Sequence, residues 1–154
     1  MTKLAIAGRT LAVLVVAAGV NFTPVMSYGQ SAPQQSAQKS ERYRLVLQVS
    51  DADPAKWNLA VNNARNVQND LGKENVDVEI VAYGPGLGML KNDSKVAGRL
   101  AEALDNNIGL MACENTMRNT KVTKGDMYAG IRYVDAGVVH LMKRQREGWA
   151  YIRP

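Results

Sequence analysis

The chain has one cysteine and one histidine in 154 residues, and one phenylalanine. A single cysteine rules out a disulfide within the chain. With one histidine beside it, a zinc site of the usual nitrogen and sulfur type has too few ligands in one chain. No apolar run reaches the roughly 20 residues a membrane-spanning helix needs. No dense Lys/Arg stripe interleaved with aromatics is present, so a nucleic-acid surface is not indicated. The glycines of Gly84-Pro85-Gly86-Leu87-Gly88 lack the Gly-Lys-Ser/Thr ending of a phosphate loop, and read as a tight turn instead.

What is present begins with an address. Lys3 and Arg9 precede the uncharged run Leu11 to Val20, followed by Pro24 and small residues at Ser27 and Gly29. This is the pattern of a secretory signal peptide over residues 1–29, cut after Gly29, with Ala32 as a second candidate. It sets the expected location as periplasmic or secreted, with no membrane attachment after cleavage. The leader carries two of the 19 basic residues and none of the 14 acidic ones, so the formal charge falls from +5 to +3 on its removal. Residues 30–41 are a Ser, Ala, Gln and Pro run without apolar periodicity and read as a disordered tether. Residues 42–154 then form one domain of ordinary size.

Within it, Arg42 to Val49 reads as a first strand. Asp53 caps a helix with Pro54 at its first position, and Trp57, Ala60, Val61, Ala64, Val67 and Leu71 form its apolar stripe, ended by Gly72. Val76 to Tyr83 reads as a second strand. A second helix runs through Val96, Leu100 and Leu104, capped by Asp93 or Ser94, and ends at Asn106 and Asn107, where asparagine tolerates the left-handed conformation. Ile108 to Ala112 is a short buried strand, and Asn115 to Thr120 a short helix. Lys121 to Ala129 is an irregular excursion and Ile131 to Ala136 a fourth strand. A closing helix buries Val138, Leu141, Met142 and Gln145, with Lys143, Arg144 and Arg146 complementing its dipole. Trp149 to Ile152 is a last strand. Strands alternating with helices at this spacing imply an α/β domain with a mostly parallel sheet of about five strands.

In such a sheet, ligands collect beyond the carboxyl ends of the strands. Three loops lie there: Ser50-Asp51, Tyr83-Gly84-Pro85-Gly86 and Cys113-Glu114-Asn115-Thr116. Cys113, at the amino end of a helical turn, is the candidate reactive group, because backbone N–H groups and the helix dipole favour a thiolate. Asn115 or Thr116 would cap that turn, and Arg118, Lys121 or Lys124 would add positive charge. Glu114 would oppose the thiolate or serve as an acid or base. Inert burial of Cys113 is the competing reading, since free cysteine is among the most buried residue types. His140 falls far from Cys113 and toward the other end of the sheet.

The order and spacing of Tyr83-Gly84-Pro85-Gly86, Ala112-Cys113-x-Asn115-Thr116, Gly137-Val138-Val139 and Gln145-x-x-Gly148-Trp149-Ala150-Tyr151-Ile152-x-Pro154 resemble the exported branch of the DsrE/DsrF-like family. The resemblance implies a single flavodoxin-like, three-layer domain that assembles as a homo-oligomer, a trimer or hexamer; from the residues themselves no cofactor or metal is expected. It also implies that a cysteine in the position of Cys113 carries sulfane sulfur as a persulfide and passes it to a partner thiol, as in a sulfurtransferase-like carrier. Two other functions fit the residues alone: a non-catalytic small-ligand-binding module with Cys113 as lining, and a redox-sensing thiol protein.

Overall fold

The computed structural model describes residues 42–154; the expected signal peptide and tether lie outside the described residues. Five parallel strands form one sheet in the order β4-β3-β2-β1-β5. They are β1 (Tyr43–Val49), β2 (Val76–Ala82), β3 (Gly109–Cys113), β4 (Arg132–Val134) and β5 (Ala150–Ile152). Four α-helices connect them: α1 (Pro54–Leu71), α2 (Ala97–Asp105), α3 (Glu114–Thr120) and α4 (Gly137–Arg146), with a 3₁₀ turn over Gly84–Leu90. The expected α/β, flavodoxin-like domain is what the chain forms. Among the described residues no helix is long and apolar enough to cross a membrane.

The layers follow from the alternation along each strand. Leu45, Leu47, Val49, Val78, Ile80, Ala82, Leu110 and Ala112 face one side and pack with Trp57, Ala60, Val61 and Ala64 of α1, Leu100 and Ala103 of α2 and Met117 of α3 in the main core. On the other side Val46, Val81 and Met111 meet Leu141 of α4 in a much smaller core. Three crossovers therefore pass over one face, and only the last, β4 to β5, passes over the other.

Local chemistry accounts for the ends of the elements. Asp53 Oδ1 accepts the Ala55 N–H at 2.8 Å and caps α1, while Gly72, at φ 87°, ends it. Asn107 adopts the left-handed conformation, φ 57°, as its residue type allows. The cap expected for α2 differs: Val96 occupies the cap position without a side-chain bond, and Ser94, two residues earlier, accepts the Val96 N–H on Oγ at 3.3 Å.

The closing helix is the larger correction. Val138, Met142 and Gln145 were expected inside with Leu141, yet only Leu141 is buried, and Val138 and Met142 are 51% and 59% exposed. The reason lies beneath the helix. Glu79 of β2, 4% exposed, points to this side, and α4 turns His140 and Arg144 down onto it instead of apolar residues. A buried carboxylate needs charged partners more than a helix needs a uniform apolar stripe.

Candidate functional site

Strand order fixes where a crevice must open. The connections leaving β3 and β4 go to opposite faces of the sheet, so the switch point lies between their carboxyl ends. In flavodoxin the corresponding point lies between β1 and β3. Cys113 is the last residue of β3, paired with Val134 at the end of β4. It stands at the switch point.

Its sulfur is held from both layers. Sγ accepts the Thr116 N–H at 3.4 Å, from the first turn of α3, and the Gly137 N–H at 3.2 Å, from the first turn of α4. Cys113 is thus its own helix cap, and neither Asn115 nor Thr116 serves as expected, because the thiol sits where an N-cap oxygen ordinarily does. Burial, with the residue 4% exposed, pushes the thiol toward its neutral form. The Thr116 hydroxyl, the Gly137 N–H and the backbone N–H groups of Thr116 and Asn115 outweigh it, and hold the thiol below its ordinary value.

The positive side chains expected to help do not act on the sulfur. Lys124 pairs with Glu114 at 3.1 Å and lies 4.5 Å over the Tyr133 ring. Glu114 lines a shallow groove of about 270 Å³ with Met117, Arg118, Val122, Thr123 and Lys124. The pair neutralises the carboxylate that would have opposed a thiolate.

Of the remaining expected residues, the second loop comes closest. Gly84 donates its N–H to Thr116 Oγ at 2.9 Å. Tyr83 packs on Gly137, where an added Cβ would stand 3.0 Å from Tyr83 Cβ, so a larger residue there would have to shift Tyr83 for α4 to keep its approach to the sulfur. Pro85 is the second residue of the 3₁₀ turn, and Gly86 lies flat against the backbone of Val49 and Ser50. Asn115 donates its N–H to the Asp135 carbonyl at 3.0 Å, tying α3 to the end of β4.

Ser50 and Asp51 do not join this group. Val49 is two strands from β3, on the order of 10 Å away at ordinary strand spacing. Ser50 Oγ is taken by Gln48 Nε2 at 3.1 Å, and Asp51 by Lys56 and Arg153, each at 3.3 Å. The hydrogen bond from Arg153 leads the effects that hold the Asp51 carboxyl below its usual range.

Two participants were missed by sequence reasoning. Gly137 was visible within a motif but carried no chemistry until α4 was placed against β3. Glu79 was visible as a carboxylate in the alternating first half of the strand, where it read as a solvent-side residue like Asp77. His140 Nε2 lies 2.7 Å from Glu79 Oε2, and Arg144 grips the same carboxylate at 2.6 and 2.9 Å. Glu79 pairs with Gly109, four residues before Cys113, so His140 is about 13 Å down the strand direction from the thiol. Among the described residues no group of three or more His, Cys, Asp or Glu side chains could hold a metal ion.

No family model matches the chain, and no curated protein does. Solved structures do match, two of them as follows. The Bacteroides thetaiotaomicron protein BT1422, described as a conserved protein of unknown function, is 18% identical over 75% of this chain and 98% of its own, with a TM-score of 0.60, a likeness of fold alone. The Methanobacterium thermoautotrophicum protein MTH1491, described as a protein of unknown function, is 38% identical, with a TM-score of 0.69, over 73% of this chain and 99% of its own. At that identity and coverage, the chain belongs to the same family as MTH1491.

Proposed function

We propose that the protein carries sulfane sulfur as a persulfide on Cys113, in the periplasm, and passes it to a thiol on another molecule. The observation that carries this reading is the pair of N–H donors on Sγ, one from each side of the sheet at its switch point. Donors fixed in that way stabilise a thiolate, which is the nucleophile in sulfur exchange. The resemblance to DsrE/DsrF-like sulfur carriers points the same way.

The exchange needs no oxidant. The Cys113 thiolate attacks the outer sulfur of a donor persulfide, RS–SH. The bond from Cys113 Sγ to the outer sulfur forms, the bond between the donor's sulfurs breaks, and RS⁻ leaves with the electron pair. The reverse attack by an acceptor thiolate on the outer sulfur regenerates Cys113. With one cysteine in the chain, that acceptor is a second molecule.

Burial favours a second reading, in which Cys113 lines a small-ligand pocket and exchanges nothing. Free cysteine packs as a small hydrophobe, and this one is 4% exposed. Intact mass after incubation with polysulfide separates the two readings. One added sulfur on the wild-type chain and none on Cys113→Ser is the expected result; no addition, or equal addition to both, overturns the carrier reading. A homo-oligomer belongs to the same proposal, supported by the exposed Val138, Val139 and Met142 on α4 and by Tyr151 and Ile152 on the edge strand β5. Native mass measurement of the same sample is expected to give a trimer or hexamer, and a monomer would count against it.

A further inference from the structure

We propose that the groove between β4 and α4 binds a small organic monocarboxylate, received by Nδ1 of His140 and the ammonium of Lys143 beside an apolar wall. The site goes beyond the carrier reading and stands whether or not Cys113 takes up sulfur.

β4 is the edge strand on one side of the sheet, and between it and α4 lies a groove of about 380 Å³. That is the small end of the range for ligand sites. Val139, His140 and Lys143 line it from neighbouring positions on one face of α4, and Val134 and Asp135 line it from the strand side.

His140 is held there by its other nitrogen. Nε2 lies 2.7 Å from Glu79 Oε2, and Arg144 grips both oxygens of that carboxylate at 2.6 and 2.9 Å. A carboxylate paired with an arginine in this way is ionised and accepts, so the proton between Glu79 and His140 is on Nε2. Nδ1 is left without a hydrogen bond. Among the described residues no buried side-chain nitrogen or oxygen lacks a partner, so Nδ1 is not sealed in the interior. The His140 side chain is 17% exposed, and the groove is the cavity it lines. Glu79 thus leaves the second ring nitrogen as the one free to meet a ligand.

Charge selects what that ligand is. The ionisable groups around the ring are Glu79 of β2, Lys143 and Arg144 of α4, Asp135 just after β4, and Arg132 of β4. The Arg132 guanidinium reaches over Gly109, which pairs with Glu79. Glu147 joins them through Arg144. With a proton on Nδ1 these are four cations against three carboxylates, which leaves one positive charge for a ligand to balance. His140 and Lys143, three residues apart on one helix face, would repel each other without an anion between them. Val134, Ala136 and the exposed Val139 supply the apolar surface, so the ligand that fits is a carboxylate with a short hydrocarbon body.

The chain has one histidine, so its ring gives a single set of imidazole signals in magnetic resonance spectra of the untagged protein. Butyrate is the probe, at pH 6, where an ordinary imidazole is mostly protonated. The expected result is a saturable shift of the His140 ring signals with butyrate and none with butyramide, its neutral counterpart. Loss of one charge-assisted hydrogen bond is worth about tenfold in affinity. Lys143→Gln, at an exposed position, should therefore bind butyrate about tenfold more weakly. No saturable shift with butyrate, equal shifts with butyramide, or unchanged affinity in Lys143→Gln overturns the site. The same shift from inorganic phosphate at the same concentration overturns its assignment to an organic acid.

Discussion

Glu79→Ala is expected to lower the unfolding free energy by about 3 kcal/mol, at the lower end of the range for removing one partner of a buried charge group. The carboxylate is nearly inaccessible and holds Arg144 and His140 of α4 to the sheet. Its removal leaves Arg144 and His140 over an apolar strand. The effect falls at the lower end because Arg144 keeps Glu147, at 2.8 Å, and the face of Trp149, at 4.6 Å. Urea unfolding would show a lower midpoint, and thermal unfolding a fall on the order of 10 °C. A variant as stable as wild type would mean that the cluster adds nothing net to the attachment of α4.

The same carboxylate gives a pH dependence with a definite sign. Burial works against its ionisation, but the hydrogen bonds from Arg144 and His140 and their charges prevail, and the carboxyl titrates below the ordinary value of 4.5. A group whose folded value is depressed stabilises the fold above its unfolded value and loses that contribution as pH falls through the folded one. Its share of stability should be fully present above about pH 5 and decline on acidification below about pH 4, and that decline should be missing from Glu79→Ala.

The second large effect is expected at Gly86. An added Cβ would collide with the Val49 carbonyl oxygen, stand 2.6 Å from the Val49 carbonyl carbon and 2.9 Å from Ser50 Cα. These are backbone atoms, so no change of rotamer relieves them. Gly86→Ala must push the Tyr83-Gly84-Pro85 loop away from the end of β1, breaking the Tyr83 N–H to Val49 carbonyl bond at 3.1 Å. Overpacking at such a site costs about 3 kcal/mol. Denaturant unfolding checks this: a midpoint lowered against wild type is expected, and a wild-type midpoint would show that the loop gives way without consequence.

Much of the fold was legible because its signals are local. The Asp53-Pro54 start, the Trp57 to Leu71 stripe and the Gly72 end of α1 each depend on neighbours a few residues away. The position of Cys113 between a short apolar strand and a helical turn was legible for the same reason. What could not be read was anything decided across the sheet. Whether α4 buries Met142 or Arg144 depends on Glu79, 65 residues earlier than Arg144. That Cys113 caps α3 itself, and that Gly137 supplies the second donor, follows from the strand order, which alternation of elements does not specify. Asp51 looked like a site residue because its loop follows β1 as Gly84 follows β2, but β2 stands between it and the thiol.

The central claim is that the fold holds Cys113 as a thiolate-prone sulfur at the switch point of its sheet. Alkylation rate against pH, in the wild-type chain under native conditions and again in denaturant, tests it most directly. A native midpoint below the free-cysteine value of about 8.5 seen in denaturant is the expected result. A native midpoint at or above that value, with slow modification at every pH, would contradict it and make Cys113 a buried residue of the core.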